Sequence, residues 1–296
     1  MIPADRRRLS RLLTRLADAT VAAAMALVPP PVGACRRIGI TGPPGAGKSS
    51  LVAKLAPYRI QDDGDLAIVA IDPTSPISGG AILGDRIRME ALAIDPRIYI
   101  RSLASRTSVD GLADNLPDIL AALEGFGFAE VILETVGVGQ VEYAVRNLAE
   151  TLVLVLAPGA GDQVQVMKSG ILETADLFVI HKADQPGTRQ LSAELASVLR
   201  QRTVTPNGWK PAILTTSVSD PASIERLSAE IARHQVWCAS SRNDQQNERR
   251  RFHVGSLARR RLDEILRAMP PDMLQEPITA IYDHVAGQLD RRRTGG

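Results

Sequence analysis

Short apolar runs recur through the middle of the chain, and longer amphipathic stretches separate them. Several runs contain no alternation of apolar and polar residues, which is typical of strands covered by helices on both faces. Strands that alternate with helices predict a mainly parallel sheet sandwiched by helices, an α/β fold with its functional residues at the carboxyl ends of the strands. The predicted strands are Ile38–Thr41, Leu66–Ile71, Ile98–Arg101, Val131–Glu134, Thr151–Leu156, Leu177–Ile180 and Ala212–Thr215.

Arginine and leucine alternate at helical spacing near the start of the chain. Residues 5–28 are predicted as one amphipathic helical stretch, which the three prolines at 29–31 end. We therefore expect an N-terminal helical extension over residues 1–35, followed by the α/β domain over residues 36–240.

The strand patterns stop after residue 218, and the remaining sequence is helical in character. The residues Ser223–Trp237 are predicted as a helix on the core, and the polar residues 240–247 as a linker or cap. Two long helices are expected at about 247–268 and 272–292, and together they define a C-terminal arm over residues 241–296.

Composition limits the classes of protein that the chain can represent. Hydrophobic residues make up 45% and aromatic residues 3%, so the core must be mainly aliphatic. A net charge of +2 gives no indication of a nucleic-acid partner, and the arginine triplets lack interleaved aromatics. The apolar residues 17–28 are too few to span a membrane. Cys35 and Cys238 lie far apart and indicate reduced thiols in a cytoplasmic protein.

The strongest local motif follows the first predicted strand. Residues 42–49 fit the phosphate-loop pattern G-x-x-x-x-G-K-[ST], in which a glycine-rich backbone curls around nucleotide phosphates at a helix N-terminus. Lys48 is expected to bridge the β- and γ-phosphates, and Ser49 to bind Mg²⁺ through Oγ. The predicted nucleotide-binding residues of this loop are Gly42, Pro43, Pro44, Gly45, Ala46, Gly47, Lys48, Ser49 and Ser50.

Three carboxylates follow strand patterns or precede candidate loops. Asp72, Asp85 and Glu134 offer the hard oxygen ligands that Mg²⁺ prefers, and one of them could orient an attacking water. The sequence Glu134-Thr-Val-Gly137 would also let the Gly137 N–H reach a γ-phosphate. The alternative interpretation is that each carboxylate is a helix cap or a solvated loop acid.

A second candidate loop follows the strand Leu177–Ile180. In guanine-nucleotide proteins a strand-end [NT]-K-x-D motif binds the base, and here the residues are His181, Lys182 and Asp184. The Asp carboxylate would accept from guanine N1–H and N2–H₂, while the Lys stem covers the base. Ser217 and Val218 follow the last strand, where a backbone N–H can meet guanine O6. The alternative is an ordinary strand-end turn.

Taken together, these motifs resemble those of the ArgK/MeaB family, GTPases that chaperone adenosylcobalamin-dependent acyl-CoA mutases such as methylmalonyl-CoA mutase. The resemblance covers roughly residues 5–290. It implies a P-loop fold of the SIMIBI type, mobile switch segments, and a homodimer formed through the C-terminal arm. The chain departs from the family where His181 replaces Asn and where Val218 replaces Ala. The segments that carry the resemblance are 39–49, 72–80, 83–89, 134–140 and 158–162.

The resemblance also implies the roles of individual residues. The implied magnesium and γ-phosphate site consists of Ser49, Asp72, Asp85 and Glu134. The catalytic candidates are Lys48, Asp85, Glu134 and Lys168.

The sequence therefore predicts a Mg²⁺-dependent GTPase that binds GTP and GDP and acts as a switch for a partner mutase, in cofactor loading, protection or reactivation. One alternative is a GTP- or ATP-dependent phosphotransferase, although no separate acceptor domain is evident. Another is a nickel-type metallochaperone GTPase. That class would need a Cys/His metal cluster, and metal-ligand spacing is lacking among Cys35, Cys238, His234, His253 and His284.

Overall fold

One parallel sheet organises the molecule. The computed structural model describes residues 3–60, 64–73, 95–105, 115–135, 141–159, 171–201 and 208–290. Within these ranges seven strands pair in parallel, in the order β3-β2-β4-β1-β5-β6-β7, which confirms the predicted fold class. The strands are β1 (Arg36–Thr41), β2 (Leu66–Pro73), β3 (Ile98–Ser105), β4 (Glu130–Glu134), β5 (Thr151–Leu156), β6 (Leu177–Ile180) and β7 (Ala212–Thr215).

The predicted strands are all present, and two of them, β2 and β3, continue further at their carboxyl ends than expected. The pairing of β2 with β3 continues through Asp72 with Ala104 and Pro73 with Ser105. The apolar pattern had ended earlier, because these last residues are polar or small. Backbone pairing extends the strands beyond the part that the core covers, and it brings Asp72 to the carboxyl edge of the sheet.

Helices cover both faces of the sheet. On one face α1, α4, α5 and α7 pack over a shared aliphatic cluster, and on the other face α3 and α8 do so. The helices are α1 (Pro3–Ala17), α2 (Val21–Leu27), α3 (Lys48–Arg59), α4 (Leu116–Gly125), α5 (Val141–Arg146), α6 (Ile171–Thr174), α7 (Thr188–Gln201), α8 (Pro221–Cys238), α9 (Arg242–Arg267) and α10 (Ile278–Asp290). None of these helices is long and apolar enough to cross a membrane.

The N-terminal stretch is two helices rather than the single one predicted. The Ala19 N–H donates to the Leu16 carbonyl and closes α1. Thr20 then begins α2, because its Oγ1 accepts from the Ala23 N–H at 3.3 Å. Helical spacing of apolar residues continues across the break, so the apolar pattern alone did not reveal it.

The prediction of a polar linker at residues 240–247 is wrong from residue 242 onward. A short 3₁₀ turn at Ala239–Ser241 leads directly into α9. Polar residues such as Gln246 and Asn247 lie on the exposed side of a helix, and Gln is a good helix former. The last helix also begins later than predicted, at Ile278, since Pro277 accepts the first helical hydrogen bonds through its carbonyl.

Helix α9 is fixed to the rest of the protein by buried charge pairs. Asp118, which is 2% exposed, accepts from His253 Nε2 at 2.7 Å and pairs with Arg260. Arg249 pairs with Glu150 at 2.9 Å. Helix α10 packs against the end of α9, where Ile265, Met269 and Val285 form a small apolar cluster.

Candidate functional site

The phosphate-loop motif forms the connection between β1 and α3. Gly47 occupies the N-cap of α3 with φ +91°, and Gly42 has φ +139°. A Cβ on Gly42 would lie 2.0 Å from the Val155 carbonyl oxygen, so only glycine fits there. Backbone N–H groups and the positive end of the helix dipole converge on this loop. The arrangement is suited to binding a phosphate group.

Lys48 lies within the loop rather than in solvent. The residue is 7% exposed to solvent. Its Nζ donates to the carbonyl oxygens of Gly42 at 2.7 Å and Pro43 at 3.1 Å. The ammonium is thus held against the backbone that forms the loop. This position allows it to face the β- and γ-phosphates of a nucleotide. The next two helical positions are Ser49, which is buried, and Ser50, which is half-buried.

Ser49 and Glu134 meet at the carboxyl edge of the central strands. Ser49 Oγ donates to Glu134 Oε1 at 2.6 Å, and both side chains are buried. Glu134 ends β4, where it pairs in register with Ile40 of β1. Hydroxyl and carboxylate oxygens are the donors that Mg²⁺ takes in proteins, so this pair fits a magnesium site.

The remaining predicted ligands are only partly visible. The backbone of Asp72 is the penultimate position of β2, the strand beside β4, and its side chain lies outside the described part of the chain. Asp85, Gly137 and Lys168 lie outside the described residues. Among the described residues no group of three or more His, Cys, Asp or Glu side chains is arranged to hold a metal.

Lys182 connects the predicted base loop with the phosphate loop. The loop after β6 contains Lys182 in the left-handed region, with φ +55°. Its Nζ donates to the Gly45 carbonyl oxygen at 2.7 Å. The lysine stem therefore lies across the gap between the two loops. In that position it can cover the face of a bound base.

Asp184 and Ser217 bring the ends of β6 and β7 together. Ser217 Oγ donates to Asp184 Oδ1 at 2.5 Å, and this hydrogen bond lowers the pKa of Asp184. Asp184 is exposed and ionised at neutral pH, so it can accept from two N–H groups of a base. Val218 follows in a turn between Ser217 and Asp220, with its side chain 46% exposed.

His181 is buried between the two loops. Its Nδ1 lies 2.9 Å from Thr216 Oγ1, and its ring edge lies against Gly47, where an added Cβ would be 2.7 Å from Cδ2. Burial and the neighbouring Lys182 charge lower the pKa of His181, so the ring is neutral at pH 7. The sequence had assigned His181 to the base itself. In the structure its ring lies between Gly47 of the phosphate loop and Thr216 of the loop after β7.

One further pair at this edge was missed from the sequence. Thr135 Oγ1 donates to Thr41 Oγ1 at 3.0 Å, and both residues are fully or nearly fully buried. Thr41 ends β1 and precedes the phosphate loop, and Thr135 directly follows Glu134 at the end of β4. The sequence feature that could have revealed this pair is the threonine that closes or follows each of the two apolar strand patterns.

A family model and named relatives of other organisms match most of the chain. The sequence matches the family model described as methylmalonyl Co-A mutase-associated GTPase MeaB over residues 11–270. A protein of Pyrococcus abyssi named as a GTPase is 40% identical over 252 residues, which are 84% of this chain and 78% of that protein. The Caenorhabditis elegans protein named methylmalonic aciduria type A homolog, mitochondrial, is 32% identical over 84% of this chain and 60% of its own length.

A solved structure agrees with this fold over almost the full length. The crystal structure of a LAO/AO transport system kinase superposes with a TM-score of 0.65 and covers 98% of this chain and 99% of its own. Its sequence identity is 23%, so the likeness concerns the fold alone.

Proposed function

The chain belongs to the MeaB family of methylmalonyl Co-A mutase-associated GTPases, and from this premise we propose that it hydrolyses GTP to GDP and phosphate with Mg²⁺. The observation that carries the proposal is the pair of joined loops. A phosphate loop with Lys48 inside it is connected through Lys182 to a loop with an ionised Asp184. A phosphate site and a base site are thus held at a fixed separation.

Each group in the loops has a task in this proposal. Lys48 neutralises charge that develops between the β- and γ-phosphates. Asp184 selects guanine by accepting from N1–H and N2–H₂, and Ser217 keeps its carboxylate oriented. Ser49 and Glu134, with Asp72 and Asp85, would hold Mg²⁺, which would supply a Lewis acid on the phosphate oxygens. Gly137 and Lys168 are assigned to the γ-phosphate side of the site.

We further propose that this GTPase serves an adenosylcobalamin-dependent acyl-CoA mutase as a switch, in cofactor loading, protection or reactivation. The family description and the name of the C. elegans relative support this partner. GTP holds switch segments in place through its γ-phosphate and metal, and hydrolysis releases them.

The experiment is GTP turnover with and without a purified mutase. We expect the mutase to accelerate turnover, and we expect the GTP and GDP forms to bind it with different affinities. The switch would be contradicted if the mutase bound the GTP form, the GDP form and the Lys48→Ala variant equally and left the rate of GTP turnover unchanged.

A homodimer through the C-terminal arm, residues 241–296, is also part of the proposal. The arm exposes apolar side chains that its own domain does not cover, including Ile278 at 80% and Tyr282 at 71% exposure. Leu266, Leu274 and Leu289 are exposed as well, at 40%, 56% and 46%. An apolar surface of this kind commonly marks an interface.

A further inference from the structure

Helix α1 lines an open groove with arginines at the amino-terminal edge of the sheet. Arg7, Arg8, Arg11 and Arg15 form one side of a recess of about 620 Å³. Its apolar floor consists of Leu12, Leu27, Pro29 and Phe126. None of the described residues that line it carries a carboxylate. The groove is therefore cationic along one wall and apolar at its base.

The arginine wall is presented by a firmly held helix. Leu9, Leu13 and Leu16 of α1 are completely buried in the core. Ser10 Oγ lies 3.0 Å from the Tyr99 hydroxyl, and Arg101 donates to Thr14 Oγ1 at 3.1 Å. The opposite side of α1 is thus packed against the protein along its length, and the four arginines keep fixed positions relative to one another.

These arginines are arranged at a cost to the helix itself. Arg7, Arg11 and Arg15 lie four residues apart, where like charges on a helix repel one another and destabilise it. All four lining arginines are exposed, and within the described part of the chain none of them forms an ion pair. Arg8 contacts the Phe126 ring, with Cζ 5.9 Å from the ring centroid. The charge of the wall is consequently available to a binding partner.

We propose that this groove binds an acidic amphipathic helix of a partner protein. Guanidinium groups pair with carboxylates in a bidentate geometry, so acidic residues four apart on the partner would match the arginine row. Apolar side chains on the same face of that helix would cover the floor. From Arg7 to Arg15 the row is about 12 Å long at 1.5 Å per residue, which equals roughly two helical turns.

The shape and chemistry of the groove favour this occupant over other anions. A flat lipid surface would meet the arginines but would not reach the recessed floor. Stacking of nucleic-acid bases needs exposed aromatic faces, and the aromatic residue of the groove, Phe126, is half-buried with Arg8 over its ring.

The groove lies away from the nucleotide loops. Arg6 of α1 donates to the carbonyl of Ile98, where β3 begins, and Phe126 precedes the start of β4. Lys48 and Glu134 lie at the opposite, carboxyl edge of the strands. A helix in the groove would therefore not compete with nucleotide. The proposal does not depend on the GTPase assignment.

The test uses two fluorescent peptides and the full-length chain. One peptide is an amphipathic helix with Glu every fourth residue and Leu on the same face, and the second has Ala in place of every Leu. Binding is measured by fluorescence anisotropy. The double variant Arg8→Ala/Arg11→Ala is compared with the charge-matched control Arg189→Ala/Arg226→Ala, whose arginines are exposed and lie outside the groove.

We expect the Glu/Leu peptide to bind more tightly than the Glu/Ala peptide, and the groove variant to lose about tenfold or more in affinity. The control variant should bind as the wild-type chain does, and a fluorescent GTP analogue should bind all forms equally. Equal binding of both peptides, or an unaffected groove variant, would overturn the proposal. So would inorganic triphosphate or phosphatidylserine vesicles that bind more tightly than the Glu/Leu peptide and depend on Arg8 and Arg11.

Discussion

His181 Nδ1 lies 2.9 Å from Thr216 Oγ1, which ties the loop after β6 to the loop after β7. The same imidazole packs against Gly47 at the N-cap of α3. A single buried ring therefore contacts the phosphate loop and joins the loops that follow β6 and β7. These contacts would keep the proposed base site in place although His181 stands where guanine-nucleotide proteins usually have Asn. The Nδ1 of histidine occupies about the position of an Asn amide atom.

Replacing His181 tests whether its ring positions the loops through the hydrogen bond to Thr216 and the packing on Gly47. We expect His181→Ala to weaken GTP binding by about tenfold, because it removes the hydrogen bond to Thr216 and the packing on Gly47. His181→Asn should retain most of the affinity. Isothermal titration with GTP·Mg²⁺ measures both variants, and an Ala variant with wild-type affinity would show that the ring does not position the loops.

The pH dependence of the fold gives a second readout of His181. Burial lowers the pKa of His181 below its usual value of 6.5, so the folded state favours the neutral ring. This contribution to stability is fully present above pH 6.5 and is lost as the pH falls through the folded-state pKa. Thermal unfolding between pH 5 and 7 should be less pH-dependent for His181→Asn than for wild type.

Asp184 should determine the preference for guanine. Asp184→Asn replaces a double acceptor by a mixed donor and acceptor, so we expect GTP affinity to fall by about tenfold or more while ATP affinity changes little. Asp263→Asn on the exposed side of α9 is a charge-matched control. Competition titrations with GTP and ATP measure the ratio. A wild-type chain that binds ATP as tightly as GTP would contradict the assignment.

The buried pair of His234 and Asp176, at the other edge of the sheet, should make the free energy of unfolding depend on pH in the alkaline range. Burial by itself would lower the pKa of His234, but hydrogen bonds with Asp176 and Cys238 and the Asp176 charge raise it to about 9. The folded state therefore favours the protonated ring. Its contribution is complete below pH 6.5 and is lost as the pH rises through about 9.

Thermal unfolding from pH 6 to pH 10 tests this pair. We expect wild type to lose up to about 3 kcal/mol from this source across that range, and His234→Gln to show a flatter profile. His284→Gln on α10 serves as a control. Parallel pH profiles for wild type and the His234 variant would contradict the assignment.

The exposed face of α10 should mediate association. Ile278→Asp/Tyr282→Asp places two charges on that face, and we expect it to convert a dimer into a monomer. Ala280→Asp/Gly287→Asp adds the same charge at exposed positions on the opposite face of α10 and should remain dimeric. Light scattering at tens of micromolar, with and without nucleotide, measures the mass. A wild-type chain that is monomeric under both conditions would contradict the dimer.

Much of the sheet could be predicted because its strands are covered on both faces. All six residues of β5 are buried, and the five after Thr151 form an unbroken apolar run that is visible in the sequence. Backbone pairing is independent of side chains, so the polar ends of β2 and β3 left no such pattern. The helix breaks at Thr20 and Pro277 depend on single capping residues rather than on periodicity.

The site was predictable to the extent that its residues adjoin one another in sequence. Gly42 and Gly47 are recognisable from their spacing, whereas the contact of Ser49 with Glu134 joins residues on different elements. The positioning role of His181 depends on Thr216 and Gly47, which are distant in sequence and adjacent only in the fold. The motif identified the residue, but the fold identified its contacts.

The most direct test of the GTPase assignment is phosphate release from GTP by Lys48→Ala. We expect wild type with Mg²⁺ to convert GTP to GDP and phosphate, and Lys48→Ala to lose turnover by about two orders of magnitude or more without a change in thermal stability that would indicate unfolding. Lys54→Ala, on the exposed side of the same helix, should behave as wild type, and removal of Mg²⁺ with EDTA should abolish turnover. Unchanged affinity and turnover in Lys48→Ala would contradict the account.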